Sequence, residues 1–205
     1  MPRNYMFTRD EIIAAALNLA KKGGISALTA RALGRELGAS SRPIFGLFKN
    51  MGEVQQEVFK AADALYQSYL KDSMESGKYP PYKASGMAYI RFAREEKELF
   101  KMLFMRDRTH ENAENDKNGL QPYGEMLQQK LGLSEEDAYL FHLEMWMYVH
   151  GIAATLATSF LEWDEKFISR VLTDGYEGMK SRYMKNTPNA KASGAAFEER
   201  DGEKN

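Results

Sequence analysis

The amino-acid sequence predicts an all-α protein, and three kinds of observation support this fold class. Apolar residues recur every three or four positions along most of the 205 residues, which is the spacing of one face of a helix. Several of these runs begin with a Ser, Thr, Asn or Asp three positions before an acidic residue, as capped helices do. No stretch alternates between apolar and polar residues as a half-buried strand would. We expect about nine helices, arranged as a three-helix N-terminal head and a larger C-terminal helical bundle.

The first helix of the head is predicted to begin after Thr8. Thr8 and Glu11 match a capping box, and Phe7 with Ile12 matches the hydrophobic staple that accompanies such a box. Cations and two glycines from Lys21 to Gly24 then mark its C-terminal end. The residues expected in the core of the head are Phe7, Ile13, Leu17, Leu33, Leu37, Ile44 and Phe48.

Residues 29–49 predict two further short helices joined by a tight turn. Thr29 can cap the first of them, and Gly38 suits the left-handed conformation that ends it. Ser40 is expected to cap the second helix, with Pro43 in its first turn, where a missing N–H costs nothing. Such a pair forms a helix-turn-helix, whose second helix meets base edges in the DNA major groove. Paired short helices also occur in helical cores that bind no nucleic acid.

Charge is distributed unevenly along the chain. The first fifty residues carry eight cations and three carboxylates, a net charge of +5, whereas the whole chain has a net charge of −1. A basic N-terminal end favours phosphate groups, and therefore nucleic acid rather than a membrane, as partner. The cations are Arg3, Arg9, Lys21, Lys22, Arg31, Arg35, Arg42 and Lys49, and the carboxylates are those of Asp10, Glu11 and Glu36.

The remaining helices form the body of the protein. Asn50 with Glu53, Ser134 with Asp137, and Asp164 are expected to open three of them. The predicted elements are a long helix from Asn50 through Leu70, helices at Tyr82–Arg94 and Glu95–Arg106, a polar loop at Asp107–Gly119, a helix at Gln121–Leu131, an apolar helix from Ser134 to about Leu161, and a last helix from Asp164 through Tyr183.

Composition argues against several other classes of protein. The absence of cysteine excludes disulfides and thiolate chemistry. Residues 1–25 contain no secretory signal pattern, so we expect a cytoplasmic protein. Met145–Leu161 is apolar enough to suggest a membrane span, but His150 and Thr155 interrupt it and no Lys or Arg flanks it closely. We expect it to be a buried helix of a soluble protein.

Enzymatic chemistry is not expected from this sequence. The three histidines, His110, His142 and His150, lack the spacing of a metal site, since the last two are separated by two helical turns. No Gly-rich phosphate loop, nucleophile elbow or Rossmann fingerprint is present. We therefore predict no catalytic residue, no metal and no cofactor.

The capped first helix, the segment GISALTARALGRELGASSRPIFGLFKNMGEV and the helical body together resemble the TetR family of bacterial one-component repressors. The resemblance is strongest over residues 8–60. The phrase Trp146-Met147-Tyr148-Val149-His150-Gly151 is similar to the signature of one subgroup of its regulatory domains. The family implies a homodimer that binds a palindromic operator and releases it when a small molecule enters the body. We therefore expect a DNA-binding domain (1–50), a regulatory, ligand-binding and dimerisation domain (51–185) and a flexible tail (186–205).

Carried over position by position, the resemblance implies a set of DNA-binding residues. Three polar contacts of the family are absent, because Phe45 replaces a tyrosine, Leu47 a histidine and Met51 a lysine. We therefore expect weakened phosphate contacts and a shallow dependence of affinity on salt. Gly46 either permits close approach to the DNA backbone or marks the helix end. The implied residues are Thr29, Arg31, Ser40, Ser41, Arg42, Pro43, Phe45, Gly46, Lys49 and Asn50.

In the body, aromatic, methionine and histidine side chains are the candidates for a ligand pocket, although each could equally be ordinary core. They are Phe92, Phe100, Leu103, Phe104, Met126, Trp146, Met147 and His150. Small and apolar residues of the last two helices are the candidates for a four-helix dimer interface, although they could instead pack within one subunit. They are Gly151, Ala154, Phe167, Val171, Gly175 and Gly178. The rival hypothesis is a helical small-molecule or protein-binding dimer with weak or lost operator recognition.

Overall fold

The computed structural model describes residues 6–107, 109 and 113–186 and, within them, nine α-helices and no strand. The all-α class predicted from the sequence is therefore confirmed. A short 3-10 turn, Ile25–Ala27, follows the first helix. The helices are α1 (Arg9–Gly23), α2 (Ala30–Glu36), α3 (Ile44–Leu47), α4 (Met51–Glu75), α5 (Pro81–Glu95), α6 (Lys97–Phe104), α7 (Ala113–Leu131), α8 (Glu135–Ala157) and α9 (Glu165–Asn186). The tail expected beyond α9 lies outside the described residues.

The start of α1 is the capping box that the sequence predicts. The backbone N–H of Glu11 donates to the Thr8 hydroxyl at 3.2 Å, and the Glu11 carboxylate accepts from the Thr8 backbone N–H at 2.8 Å. The buried face differs from the prediction, because α1 buries Ile12 with two alanines, Ala16 and Ala20. The predicted core residues Phe7, Ile13, Leu17 and Leu37 are only half-buried, whereas Leu33, Ile44 and Phe48 are buried as expected.

Helix α2 follows its predicted boundaries, but α3 does not. The Thr29 hydroxyl accepts from the backbone N–H of Ala32 at 3.1 Å, and Gly38 has the expected positive φ of +66°. Helix α3 begins at Ile44, and no side chain caps it, so the prediction that Ser40 caps this helix is wrong. Pro43 takes the flanking position with helical backbone angles. The residues from Ser40 to Pro43 instead form the turn between the two helices.

Polar caps open three helices of the body at the predicted residues. Asn50 Oδ1 accepts from the backbone N–H of Glu53 at 3.0 Å. Ser134 Oγ accepts from the N–H of Asp137 at 3.1 Å, and Asp164 Oδ1 from that of Phe167 at 2.7 Å. No helix in the described part of the chain is both long and apolar enough to cross a membrane.

Two boundaries in the body differ from the prediction. Helix α7 already begins at Ala113, within the segment predicted to be a loop, and it continues through Pro122. The predicted start is too late because the run from Asp107 to Gly119 is polar and lacks the apolar periodicity that indicates a helix. Helix α8 ends at Ala157 rather than near Leu161, since Ser159 adopts a positive φ of 58°.

The chain forms two compact units. The first comprises the described residues within Met1–His110 and His150–Glu162, and therefore contains α1–α6 and the last turns of α8. The second comprises those within Glu111–Val149 and Trp163–Asn205, and therefore contains α7, most of α8, and α9. The sequence predicts a different division, at residue 50, between a DNA-binding domain and a regulatory domain. That functional division stays a prediction.

Candidate nucleic-acid interface

The segment from α2 to the start of α4 exposes most of the side chains that the sequence assigns to DNA. Ser41 and Pro43 are half-buried, and the other candidates are exposed. Helix α3 buries Ile44 and turns Phe45 and Gly46 outward, with 47% of Phe45 exposed. We call this surface the head surface: it consists of Thr29, Arg31, Arg35, Ser40, Ser41, Arg42, Pro43, Phe45, Gly46, Lys49 and Asn50.

Two of the predicted DNA-binding side chains also cap helices. The Thr29 hydroxyl oxygen accepts from α2, and the Asn50 carbonyl oxygen accepts from α4. A hydroxyl that accepts one bond can still donate, and an amide whose oxygen is occupied still has its NH₂ group. Both caps therefore leave donors that can reach a phosphate.

Arg9 supports the head surface through its contacts with neighbouring elements, a role that the sequence did not predict. Its Nη1 donates to the carbonyl oxygen of Leu47 at 2.9 Å and to Glu53 Oε1 at 3.0 Å. Its guanidinium also lies 4.2 Å from the centre of the buried Phe48 ring, a cation–π contact. Arg9 therefore ties α1 to the end of α3 and the start of α4. Its partners lie about forty residues away in the sequence, where no local pattern could indicate them.

The Glu53 carboxylate completes this junction. Its Oε2 accepts from the backbone N–H of Lys49 at 2.7 Å, which is the main reason that the pKa of Glu53 lies below its usual value, followed by the hydrogen bond from Arg9. The capping pattern predicted a bond back to the helix start, and Glu53 reaches one residue further. The carboxylate thus orients the chain at Lys49 while it remains ionised.

Only part of the positive charge counted in the sequence is available to phosphate. Arg9 pairs with Glu53, Lys21 with Glu96 at 2.7 Å and Lys22 with Glu36 at 3.1 Å, and Arg3 lies outside the described residues. The other four cations have no carboxylate partner among the described residues: Arg31, Arg35, Arg42 and Lys49. All four are exposed and belong to the head surface.

Gly34 explains how the turn before α3 comes so close to α2. A Cβ at this buried position would lie 3.0 Å from the carbonyl oxygen of Ala39 and 3.1 Å from backbone atoms of Ser40 and Ser41. These are backbone atoms that cannot move aside as a flexible side chain would. The absence of a side chain at Gly34 therefore sets the position of Ser40, Ser41 and the residues that follow them.

The first compact unit contains a cluster of aromatic rings that includes several of the predicted ligand-binding residues. Ring centroids of Phe100 and Phe104 are 5.3 Å apart, and Tyr89 lies 4.9 Å from Phe104. The Tyr89 hydroxyl and His150 Nδ1 are within 2.9 Å of each other, so they share a hydrogen bond. Burial lowers the pKa of His150, which favours the neutral imidazole. We call this the aromatic cluster: Tyr66, Tyr69, Tyr89, Phe92, Phe100, Phe104 and His150.

The other predicted ligand-binding residues are divided between the two units. Leu103 belongs to the first unit and is half-buried. Met126, Trp146 and Met147 belong to the second unit, where Trp146 and Met147 are exposed. Exposed methionine and tryptophan side chains are more typical of an interface between proteins than of a closed pocket.

The predicted dimer residues lie in surroundings of two kinds. Phe167, Gly151 and Gly178 are exposed, whereas Ala154, Val171 and Gly175 are half-buried. A Cβ at Gly175 would lie 2.9 Å from the Tyr148 ring, so this glycine accommodates a ring of its own subunit. In the second unit, α8 and α9 together leave six large apolar side chains exposed, the α8–α9 apolar surface: Tyr139, Leu140, Trp146, Met147, Tyr148 and Phe167.

Comparisons with known proteins agree with this architecture. Residues 12–58 match the family model described as bacterial regulatory proteins, tetR family, and residues 82–173 match the model described as tetracyclin repressor-like, C-terminal domain. A TetR-like transcriptional regulator from Rhodococcus sp. RHA1 has a similar fold, with a TM-score of 0.61 at 12% identity, over 87% of this chain and 96% of that one. Among curated proteins, no sequence matches this chain significantly.

Proposed function

This chain belongs to the TetR family, two of whose domain models cover more than half of it, and from this membership we propose that it is a homodimeric repressor that binds a palindromic operator. The chain is a DNA-binding transcription regulator rather than an enzyme. The single observation that supports operator binding best is the head surface, where four exposed cations on either side of α3 in the sequence form no ion pair among the described residues.

In this proposal α3 and the turn before it enter the major groove. Arg42 would donate to base edges, guanine O6 and N7 being the usual acceptors for arginine. Arg31, Lys49 and Asn50 would contact phosphates, which fix the position of the head without reading sequence. Arg9 and Glu53 would contact neither bases nor phosphates. Their hydrogen bonds hold the end of α3 in place.

The α8–α9 apolar surface supports dimerisation. Helices α8 and α9 of the second unit expose six large apolar side chains, which pairing with a second copy of the chain would cover. Two-fold pairing of these helices would form a four-helix interface in which each copy covers the other. The two heads of the dimer would then meet half-sites one turn of DNA apart, about 34 Å.

The aromatic cluster is the proposed source of ligand response. A small molecule that binds better when the heads are spaced wrongly for the operator would shift the population away from the DNA-bound form. The ligand candidates Phe92, Phe100, Leu103, Phe104 and His150 all belong to the unit that contains the head. Met126, Trp146 and Met147 belong to the other unit.

Three finer assignments follow from membership of this family. The segment from Trp146 to Gly151 supports placement in the subgroup with a Trp-x-x-x-His-Gly signature, with His150 bonded to Tyr89. A regulator of this kind would act in the bacterial cytoplasm, where its operator is found. Residues 1–50 would serve as the DNA-binding domain and 51–185 as the regulatory domain.

The experiment that tests operator binding is fluorescence anisotropy of the full-length protein on the intergenic DNA upstream of its gene and on a scrambled duplex. We expect tight, sequence-dependent binding that Arg42→Ala weakens at least tenfold, in line with the loss of one bidentate base contact. Lys71→Ala, which removes an exposed cation from α4, is the matched control and should leave the affinity unchanged.

Weak and equal binding to both duplexes would contradict the repressor proposal. It would favour the second candidate function, a helical dimer that binds a small molecule or a protein and has lost operator recognition. The observation that favours this alternative is the absence of the family's Tyr, His and Lys at Phe45, Leu47 and Met51. A ligand that binds the body but leaves the operator affinity unchanged would contradict the proposed release mechanism.

A further inference from the structure

The outer side of α3 carries the aromatic side chain of Phe45, which does not belong to the buried core of the head. Phe45 is 47% exposed, whereas its neighbours Ile44 and Phe48 are almost completely buried. No described ring or cation stacks on the Phe45 ring. The inward side of the helix is thus complete without it.

The exposed residues next to Phe45 in the sequence are suited to nucleic acid rather than to an apolar protein partner. Arg42 stands three positions before it, across the turn that leads into α3, and both side chains are exposed. Gly46 beside it is exposed and adds no side chain. The unpaired cations of the head surface would oppose burial against a purely apolar partner, but they complement a polyanion.

We infer that Phe45 is a specificity-determining residue that packs against the 5-methyl group of a thymine in the major groove. The inference rests on the proposed operator binding and goes beyond it, since it assigns one base to one side chain. Apolar contact with this methyl group is how an aromatic or aliphatic side chain distinguishes thymine from the other bases. A phenylalanine has no hydroxyl to offer a phosphate, so its ring contributes by apolar contact alone.

The expected size of the effect follows from the burial of one methyl group. Removing one such group from an apolar contact weakens binding by about fourfold, from the free energy of burying a single carbon. Because the proposed dimer reads two half-sites, loss of both methyl groups multiplies this effect. We also expect the thymine that Phe45 contacts to lie next to the base pair that Arg42 contacts.

The experiment begins with selection of duplexes from a random-sequence library by the full-length protein. Each thymine of the selected half-site is then replaced singly by uracil, which removes only the methyl group, and affinity is measured by anisotropy. We expect one thymine position at which uracil weakens wild-type binding by about fourfold and leaves the binding of Phe45→Ala unchanged. Phe45→Tyr keeps the ring and should retain the sensitivity.

Phe160→Ala is the matched control, because Phe160 is 79% exposed and lies outside the head surface. It should show the same sensitivity to uracil as the wild type. Suppose that Phe45→Ala binds the selected sequence as well as the wild type does, and that no thymine of that sequence is sensitive to loss of its methyl group. This result would overturn the inference and leave operator binding intact. Failure to select any sequence would overturn both. The uracil series on the wild type needs no variant, so a selected half-site with no uracil-sensitive thymine overturns the inference even if Phe45→Ala fails to fold.

Discussion

Nη1 of Arg9 donates a hydrogen bond to the carbonyl oxygen of Leu47 at 2.9 Å, across 38 residues of sequence. The acceptor is the last residue of α3, a helix of only four residues that no side chain caps. So short a helix is not stable by itself and depends on tertiary contacts. The guanidinium of Arg9 therefore holds the helix that would read DNA, although Arg9 itself faces its own protein.

Arg9→Ala should lower the free energy of unfolding by about 1–2 kcal/mol, because it removes a charge-assisted hydrogen bond and a cation–π contact with Phe48. Chemical denaturation measures this change. Lys22→Ala, which breaks the exposed pair with Glu36, should change stability by less than about 0.5 kcal/mol. Equal effects of the two substitutions would contradict the assigned role of Arg9.

Gly34→Ala should lower stability by about 1–3 kcal/mol, because the new methyl group would press on the backbone of residues 39–41. Operator affinity should fall further than stability alone explains, since Ser40 and Ser41 would be displaced. The matched control is Gly124→Ala in α7, where nothing lies within 4 Å and the helix should gain up to about 1 kcal/mol. Normal operator binding by a stable Gly34→Ala variant would show that the position of the turn is unimportant.

Stability should decrease as the pH falls from about 6.5 to about 4. Burial lowers the pKa of His142 from 6.5 to about 4, so in this range the unfolded chain binds a proton that the folded chain does not. The contribution is fully present above pH 6.5, and roughly 3 kcal/mol of it is lost by pH 4. His142→Phe keeps a ring stacked on Tyr123 and should flatten this part of the pH profile in thermal unfolding. An unchanged slope in the variant would assign the pH dependence to other groups.

Met147→Glu should convert the proposed dimer into a monomer, because it places a charge at an exposed residue of the α8–α9 apolar surface. Light scattering coupled to size-exclusion chromatography measures the mass directly. Phe160→Glu introduces the same charge at a more exposed aromatic residue outside this surface and should leave the mass unchanged. A dimeric Met147→Glu variant would mean that the subunits pair through another face.

The salt dependence of operator binding should be limited by the number of unpaired cations. Each neutralised phosphate contributes about 0.9 to the slope of log K against log salt, so four cations in each of two subunits allow at most about −7. Anisotropy over a salt series gives this slope. A steeper slope would mean that further cations contact phosphate: Arg3, which lies outside the described residues, or Arg9, Lys21 or Lys22 after leaving its carboxylate partner.

Features that depend on nearby residues could be predicted from the sequence. The caps at Thr8, Thr29, Asn50 and Ser134 all lie where the pattern indicated, because a cap joins a side chain to a backbone N–H only a few residues away. The fold class followed from the same local periodicity. The alignment with the family likewise rested on one continuous segment of sequence.

Features that depend on distant residues could not be predicted. Ser40 is a good capping residue, yet the close approach of the turn to Gly34 sets the chain path there, and α3 begins only at Ile44. The count of basic residues overstated the charge of the candidate interface, because the partners Glu53 and Glu96 lie outside the first fifty residues. Only the structure could separate structural cations from free ones.

The two compact units have a practical consequence for anyone who wishes to dissect this protein. Neither unit is one continuous stretch of the chain, since α8 contributes its first part to one and its last turns to the other. A fragment cut after α6 would lose His150, the hydrogen-bond partner of Tyr89, together with the buried side chains of Ile152 and Leu156. Truncation after α6 therefore removes the whole second unit and also part of the first. Isolated DNA-binding activity is better sought by point substitution in the full-length chain than by expressing a shortened one.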